Sequence, residues 1–522
     1  MPRTPHSIHS FHSLLPLAAI CLAALMFGLE ISSVPVILPV LEQQLHANFQ
    51  SMQWIMNAYT IACTSVLMAT GTLADRYGRR LVFALTVLAF GIASLLCGLA
   101  PDTMSLVLAR FMQGMAGGAM FICSIAILSH QFPEGRARAR AFAIWGVVAG
   151  MGLGFGPVIG SAIASVASWH WVFIVHAPLA LLCLGLIWAG VAESRDPKAC
   201  DQPLDWGGML ALSVAVLGLT SLITQGQSLG WRSPPTLALS VLTVLGLVGF
   251  IVAERTHPHP MFDFSVFRIR DFSGAILGCV GMNCSYWPFM IYLPLYFTAG
   301  LGLDVATAGF ALLAYTVPFL LMPPVAQWLL LRHDARVVIP GGLFVIGLGF
   351  VAMKLGSHFP GHGPWPVLPG ALLAGIGLGL TTTPASSMTT SAVPAERAGM
   401  ASGMDVSARL ITLALNIAVM GLVLLAGLEA SLQTSLGAWV EAAQLRTVAE
   451  QLASGNLAAA LQAGATSGGP GLDTHMLQAA LTQGFGWVML YGGIAAWVTA
   501  AFSWVVFRGL HEATGPRAPA GT

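Results

Sequence analysis

Long apolar runs occur throughout this chain and dictate most of its fold. Fourteen windows of about twenty apolar residues follow one another, and a helix of that length crosses the roughly 30 Å hydrocarbon core of a bilayer. Hydrophobic residues are 56% of the 522 residues and charged residues only 8%, a balance that no soluble core absorbs. We therefore expect an all-α integral membrane protein. The windows lie near residues 14–38, 51–73, 81–100, 104–128, 141–164, 170–191, 206–226, 235–253, 272–298, 306–330, 337–356, 366–388, 400–427 and 485–507.

An even number of spans places both termini on one side of the membrane. Seventeen of the 22 Lys and Arg residues then fall on that side, three fall on the opposite side and two lie within spans. Cytoplasmic loops carry the Lys/Arg excess, so we expect both termini in the cytoplasm and the chain in the inner, cytoplasmic cell membrane. The apolar run from Leu14 continues past residue 35 without a small-residue cleavage site, so it is expected to be a span and not a signal peptide.

Two polar stretches divide the chain into six, two and six spans. Residues 193–204 and 254–271 are polar or charged and flank the pair of spans at 206–253. Two six-span halves are typical of transporters built from repeats, with a site between the halves near the membrane midplane. The predicted parts are an N-terminal bundle (1–192), a linker with two inserted helices (193–270), a C-terminal bundle (271–508) with a long external segment (428–483), and a cytoplasmic tail (509–522).

The external segment at 428–483 is rich in Ala, Gln and Leu. A structureless loop of that length is unusual in a compact protein, so short amphipathic helices are predicted near 438–453 and 473–483. Its role cannot be deduced from its composition.

A dense charged turn separates the second and third spans. It cannot enter hydrocarbon at low cost, and its arginines place it at the cytoplasmic surface. It is either a simple anchor loop or a cytoplasmic gate. The residues concerned are Gly71, Asp75, Arg76, Gly78, Arg79 and Arg80.

Two charged residues lie inside predicted spans and are the candidates for proton coupling. Glu30 is more than one turn from either end of the first span, where burial penalises its charged form, so it is expected to gain and lose a proton. The alternative is a permanently paired or hydrogen-bonded carboxylate. Arg110, one turn into the fourth span, either opposes Glu30 and tunes its proton affinity or joins helix ends.

Three glycines repeat every four residues in the fifth span. Gly152, Gly156 and Gly160 therefore share one helix face, where another helix can approach backbone to backbone, and Pro157 adds a bend.

Several polar and aromatic residues could line a cavity for an amphipathic ligand, although aromatic belts at the interfaces are the alternative explanation. They are Trp54, Asn57, Tyr59, Gln113, Asn283, Tyr286 and Trp287. Asp405 and Arg409 are spaced for a pair on one helix surface, either structural or part of a gate.

No sequence pattern points to an enzyme. The chain has no Walker-type loop, HExxH motif, paired Cys/His set or nucleophile elbow, so no cofactor, metal or ATP is expected. The net charge of +1 and the lack of a basic tract argue against a nucleic-acid partner. The eight cysteines form no CxxC pair and are expected to be small buried hydrophobes.

Four of these stretches resemble motifs of the major facilitator superfamily, in particular its fourteen-helix drug:proton antiporter branch. Gly71 to Arg80 resembles the loop motif G-x-L-a-D-r-x-G-r-r, and Arg110 to Gly114 resembles R-x-x-Q-G of the fourth helix. Gly152 to Gly160 is similar to the antiporter motif G-x-x-x-G-P-x-x-G-G of the fifth helix. Leu29 to Pro39 is similar to L-D-x-T-x-V-N-V-A-L-P of the first helix.

The resemblance implies two six-helix bundles with two extra central helices, and proton-driven export by alternating access. In the family the first-helix acid and the fourth-helix arginine are tied to proton coupling, and the loop motif latches the cytoplasmic side. This chain departs from the motifs at Glu30 (usually Asp), Pro35 (usually Asn) and Ser161 (usually Gly). Asn57 stands where some multidrug members have an acid, so recognition of dicationic compounds is not expected.

The predicted function is efflux of amphipathic, drug-like or toxic small molecules in exchange for protons, with Glu30 as the proton carrier. The alternatives are a dedicated exporter of one endogenous metabolite and a non-transporting membrane sensor or scaffold on the same fold. The expected partners are a small-molecule substrate, protons and the lipid bilayer. A periplasmic adaptor is not evident from any residue.

Overall fold

The computed structural model describes residues 11–132, 136–195, 205–257, 264–393, 398–436, 442–465 and 473–508. Within these ranges the ordered elements are helices, and nineteen of them are α-helices. They are α1 (Phe11–Leu45), α2 (Phe49–Tyr77), α3 (Arg79–Gly98), α4 (Thr103–Gln131), α5 (Arg136–Val166), α6 (His170–Ile174), α7 (His176–Gly190), α8 (Trp206–Leu229), α9 (Pro234–Thr256), α10 (Arg270–Cys284), α11 (Tyr286–Leu295), α12 (Val305–Leu321), α13 (Pro323–Arg332), α14 (Ala335–Gly356), α15 (Leu368–Ser391), α16 (Ala398–Leu436), α17 (Ala442–Ser454), α18 (Leu457–Ala465) and α19 (Thr474–Arg508).

Thirteen helical stretches in the described ranges are long and apolar enough to cross a membrane. Each of them coincides with one of the predicted spans, which confirms an all-helical, multi-pass membrane fold. The remaining predicted span, 51–73, falls within α2, a helix of 29 residues that carries more polar side chains than its neighbours do. Gln53, Asn57 and Thr60 are among these side chains, and the total of fourteen spans stays a prediction.

The helices form two bundles. In the first half, α1 packs against α5 and α7, while α4 packs against α2 and α3. In the second half, α14 packs against α15 and α19, and α10 packs against α15, α16 and α19. The halves meet along α5 with α12, α2 with α16, and α1 with α11. Helices α8 and α9 form a hairpin, and α8 lies against both α2 and α16. The predicted bundle boundaries at residues 192 and 270 stay predictions.

The charged turn is shorter than the sequence suggested. We expected it to occupy residues 71–80, but α2 continues to Tyr77 and α3 begins at Arg79, because charged residues can extend a helix beyond the hydrocarbon. Gly78 alone separates the two helices, with φ of +118°. L side chains rarely adopt this backbone conformation, so the position favours glycine. We call this end of the bundle the Gly78 end and the opposite end the far end.

Other residues at the Gly78 end tie the turn to the chain that follows α7. The backbone N–H of Arg79 donates to the carbonyl of Ser194 at 3.0 Å. The backbone N–H of Arg80 donates to Oε1 of Glu193 at 3.1 Å. The Arg80 guanidinium lies 4.4 Å above the Trp188 ring. The side chain of Asp75, one of the predicted gate residues, lies outside the described part of the structure.

The predicted external segment at 428–483 is more helical than expected. A helix near 438–453 is confirmed as α17, and α18 follows it. The separate helix predicted at 473–483 is wrong, because α19 runs without a break from Thr474 to Arg508. No proline interrupts that stretch, so the spanning helix extends beyond the membrane thickness. We call α17 and α18 together the 442–465 segment.

Candidate functional site

Glu30 and Arg110 form an ion pair inside the first bundle. Glu30 lies on α1 and Arg110 on α4, and no more than 1% of either side chain is exposed. One terminal N–H group of Arg110 donates to Oε1 of Glu30, and the same nitrogen donates to Oε1 of Gln113 at 2.7 Å. The Nε–H group donates to the carbonyl of Ile55 at 3.2 Å. Buried charges persist when paired and hydrogen-bonded, and this pair meets both conditions.

Further groups hold Arg110 in place. Gln113 donates from Nε2 to Oγ of Ser94 at 2.8 Å, and the Cys97 thiol donates to Oε1 of Gln113 at 3.4 Å. The guanidinium carbon lies 4.4 Å from the centre of the Tyr59 ring, a cation–π contact. Gln113 and Tyr59 were predicted as cavity residues, and the structure places both around the arginine.

A histidine that sequence reasoning missed completes the cluster. His176 is 1% exposed, and its Nδ1 lies 3.4 Å from Oε2 of Glu30. Its position within the predicted span 170–191 was the available signal, because ionisable residues within spans mark functional sites. Three polar groups from α1, α4 and α7 therefore meet at one point.

The glycine face of α5 positions the helix that carries Glu30. The prediction that these glycines admit a neighbouring helix is confirmed, and the neighbour is α1. A Cβ on Gly160 would lie 2.9 Å from the carbonyl of Ser33, and one on Gly156 would overlap the hydroxyl of Ser32. Ser32 also donates to the carbonyl of Gly152 at 3.0 Å. Because α1 and α5 touch along their backbones, neither helix can shift alone.

At the far end the two halves are in direct contact. Gln53 of α2 donates from Nε2 to the Tyr292 hydroxyl at 3.1 Å, and that hydroxyl donates to the carbonyl of Ile417 at 2.7 Å. A cavity of about 30 Å³, lined by residues of both halves that include Pro35 and Met56, lies beside these bonds. It has room for about one water molecule and not for a drug-sized ligand.

Two cavity candidates of the first half remain, Trp54 and Asn57. Trp54 packs against an apolar cluster that includes Leu212 of α8 and Ala414 of α16, at the place where the inserted hairpin meets both halves. Asn57 is fully buried, and its amide N and O have no hydrogen-bond partner among the described residues. Unpaired buried amides are costly, so Asn57 is the strongest of these candidates for contact with a polar ligand.

In the second half, aromatic candidates pack on one another where α10 ends and α11 begins. Tyr286 stacks on Tyr315 with ring centres 4.0 Å apart. Each tyrosine hydroxyl donates to the other residue's carbonyl, at 2.5 and 2.8 Å. Trp287 meets the Phe319 ring edge-on, and Asn283 donates to the carbonyl of Cys279 in its own helix. A substrate-binding role for these residues stays a prediction.

A second buried ion pair lies in α16. Nε of Arg409 donates to Oδ1 of Asp405 at 3.0 Å, one helical turn apart. The same guanidinium donates to the Ser386 hydroxyl at 2.9 Å and contacts the Cys279 sulfur at 3.0 Å. Arg409 thus links α16 to α10 and α15, and the role of the pair as a structural element or a gate stays a prediction.

Comparison with known sequences identifies the protein family. Residues 20–415 match the family described as the Major Facilitator Superfamily. The chain belongs to that superfamily. The resemblance seen in its motifs is thereby confirmed, and the superfamily consists of membrane transporters and not of enzymes.

Several relatives of this major facilitator are named as resistance proteins. It is 32% identical over 423 residues to the multidrug resistance protein Stp of Mycobacterium tuberculosis, covering 81% of this chain and 78% of that one. It is 31% identical to the puromycin resistance protein pur8 of Streptomyces alboniger, with 78% and 81% of the two chains covered. Its fold matches a bacterial homologue of the human lysosomal transporter Spinster, with a TM-score of 0.62, 17% identity, and 98% and 100% of the two chains covered.

Proposed function

We propose that this transporter exports amphipathic, drug-like or toxic small molecules across the cell membrane in exchange for protons. The observation that carries the proposal is the buried contact between Glu30 and Arg110. This carboxylate has no access to water and is paired with one arginine, so adding a proton to the cluster changes the forces between α1 and α4. The names of these relatives support antibiotics and other toxic compounds as the substrate class.

The proposed direction of transport follows from the arginines at the Gly78 end and from the hydrogen bonds that join the two halves at the far end. The arginine-rich Gly78 end faces the cytoplasm in this proposal, together with both termini. The hydrogen bonds from Gln53 to Tyr292 close the far end, which supports an inward-facing state that takes substrate from the cytoplasm or the inner leaflet. The proton gradient supplies the energy, and no cofactor takes part.

Alternating access requires that proton and substrate favour different states. A proton from outside binds to the cluster around Glu30, releases substrate outward and permits the return to the inward-facing state. Loss of that proton to the cytoplasm resets the site. The backbone contact between α1 and α5 gives one means of spreading this change, because any movement of α1 must carry α5 and, through it, α12 of the other half.

Inside-out vesicles with an acidic lumen test the proposal. Neutral drugs and lipophilic cations are added outside, and the rise in lumenal pH is followed for wild type, Glu30→Gln and Glu30→Ala. Glu450→Gln, which alters a partly exposed acid in α17, is the matched control. We expect substrate-driven proton release in wild type and Glu450→Gln only. Full export by Glu30→Gln together with loss in Glu30→Ala would exclude Glu30 from proton coupling, because glutamine does not titrate. A response to one metabolite alone would replace broad drug export with a dedicated exporter.

A further inference from the structure

We propose that His176 is the group that holds the exchanged proton, and that Glu30 and Arg110 form the charged pair that accepts this extra charge. The inference rests on the proposed function and adds a coupling residue to it. It starts from the position of the imidazole, whose Nδ1 lies 3.4 Å from Oε2 of Glu30 within a fully buried cluster.

Hydrogen bonding determines which nitrogen of His176 carries the hydrogen when the ring is neutral. Nδ1 is hydrogen-bonded to the carbonyl of Phe173 at 3.3 Å and lies 3.4 Å from Oε2 of Glu30, which is an ion-pair distance. Oε2 has no hydrogen-bond partner among the described residues. Both oxygens only accept hydrogen bonds, so Nδ1 is the protonated nitrogen of the neutral ring. Nε2 then presents its lone pair. That atom is buried and has no hydrogen-bond partner in the part of the chain that the structure describes, so it is free to take a proton.

The charges of the cluster favour Nε2 over Glu30 as the place for the proton. The charges of Glu30 and Arg110 sum to zero when His176 is neutral, and one added proton brings the total charge to +1 wherever it binds. A proton on Glu30 would remove the counter-charge of Arg110, which cannot lose its own proton, and would leave an unpaired cation in the bundle. A proton on Nε2 keeps the pair and places a second cation beside the same carboxylate. The proton arrives and leaves as H⁺ at Nε2, and no other bond changes.

Neighbouring helices present few competing charges to His176. Glu30 of α1 faces it directly, and Arg110 of α4 lies behind Glu30. From α3 the Phe90 ring meets the imidazole edge-on, with ring centres 5.7 Å apart. Cys97 of α3 and Tyr59 of α2, the other titratable groups near the pair, are a thiol and a phenol that ordinarily stay neutral at pH 7.

The first test compares wild type with His176→Gln in the acidic-lumen vesicles. Glutamine can hydrogen-bond to Glu30 but cannot titrate. We expect substrate binding to persist and substrate-driven proton release to fall about tenfold or more, with its pH dependence lost. His170→Gln, which changes a half-buried histidine of α6 stacked on Trp169, is the matched control and should release protons as wild type does.

The outcomes separate this inference from the proposed function. If wild type releases no protons with any compound, the proposed function fails and this inference fails with it. If wild type and His176→Gln release protons equally, with the same pH profile, only the role of His176 is overturned. A lower rate with an unchanged pH profile also overturns it, because that result describes a residue that merely orients Glu30.

Infrared difference spectroscopy keeps the inference testable should His176→Gln fold poorly. Wild-type protein with isotope-labelled histidine rings is acidified in lipid, and the same spectra are taken from Glu30→Gln. We expect acidified wild type to show a labelled imidazolium band. We also expect wild type to show no carboxylic-acid band beyond those that Glu30→Gln shows. A carboxylic-acid band that is present in wild type and absent from Glu30→Gln would assign the proton to Glu30 and overturn the inference.

Discussion

Gln53 donates a hydrogen bond to the hydroxyl of Tyr292 across the boundary between the two bundles, at 3.1 Å. The two residues are 239 positions apart in the chain, and each is at most 6% exposed. The same hydroxyl donates to the carbonyl of Ile417, so a single oxygen atom joins α2, α11 and α16. In the proposed transport cycle, opening the far end must break this junction. We therefore expect the junction to bias the equilibrium between the two proposed access states.

Tyr292→Phe removes both hydrogen bonds and leaves Gln53 and the Ile417 carbonyl without their partner. The loss is about 1–3 kcal/mol, so we expect the open far end to become about tenfold more populated. A cysteine at Met56, which lines the small cavity, reports this as faster labelling by an impermeant thiol reagent in intact cells. Tyr491→Phe is the control, because Tyr491 bonds to Asn416 within one half. Equal labelling of wild type and Tyr292→Phe would show that the junction does not hold the far end closed.

Glu42, at the far end of α1, fastens the 442–465 segment. Its Oε1 accepts hydrogen bonds from the Ser454 hydroxyl at 3.1 Å and from Nδ2 of Asn456 at 3.0 Å. Hydrogen bonds to a charged group contribute about 1.5–3 kcal/mol each, so Glu42→Ala should raise the released fraction of the segment about tenfold or more. Arg446 is the only trypsin site between residues 428 and 483, which makes cleavage there a direct readout.

Thr434→Ala is the control for this experiment. Among the described residues the Thr434 hydroxyl bonds within its own helix, to the carbonyl of Ala430, so trypsin should cleave that variant at the wild-type rate. Cleavage of Glu42→Ala at the wild-type rate would mean that apolar contacts alone hold the segment in place.

Helix positions followed from the sequence because bilayer thickness sets the length of a span. The thirteen candidate spans match the predicted windows for this reason, whereas α2 was extended to Tyr77 by charged residues that lie outside hydrocarbon. The prediction of a separate short helix at 473–483 was wrong for a related reason, because an apolar window does not show how far a helix continues into water.

The contacts between residues of the candidate site were only partly predictable from the sequence. A charge within a span requires a partner, so Glu30 and Arg110 were recognisable one by one, but their contact depends on how α1 packs against α4. His176 is one of 14 histidines, and its distance from Glu30 exists only in three dimensions. Asn57 is a similar case, because the lack of a hydrogen-bond partner for its amide among the described residues depends on packing and cannot be read from the sequence.

Asp304 gives a pH-dependent contribution to stability. Hydrogen bonds from the hydroxyl and the backbone N–H of Thr307 hold the pKa of this exposed carboxylate below its ordinary value. A lowered pKa in the folded state stabilises the protein above the unfolded value of about 4, and this contribution is lost as the pH falls through the folded value. Asp304→Ala should therefore melt below wild type at pH 7, and the gap should close under acid.

Asp304→Asn is the matched variant, because asparagine caps a helix equally well without titrating. Its melting temperature should equal that of wild type at pH 7 and exceed it in acid. Thermal unfolding in detergent across this range checks both variants, and a gap between Asp304→Ala and wild type that does not change with pH would contradict the role of the charged cap.

The contact between α1 and α5 should tolerate no added methyl group. A Cβ on Gly160 meets the Ser33 Cβ at 2.7 Å and the Ser33 carbonyl at 2.9 Å, and backbone cannot move aside cheaply. Gly160→Ala should lower the free energy of unfolding by about 1–3 kcal/mol and slow transport, because Glu30 lies on the displaced helix. Gly146→Ala is the control on the same helix, since a Cβ there meets no atom within 4 Å.

Comparing Gly156→Ala with Gly160→Ala distinguishes a clash with a side chain from a clash with backbone. The methyl group added in Gly156→Ala collides with the Ser32 hydroxyl, while the nearest remaining atom, the Ser32 Cβ, is 3.0 Å away. Ser32→Ala should therefore recover part of the stability lost in Gly156→Ala and none of that lost in Gly160→Ala. Thermal unfolding and substrate-driven proton release in the single and double variants measure both effects. If Ser32→Ala rescued the two glycine variants equally, a general loosening of the bundle would account for the result better than close packing of α1 on α5.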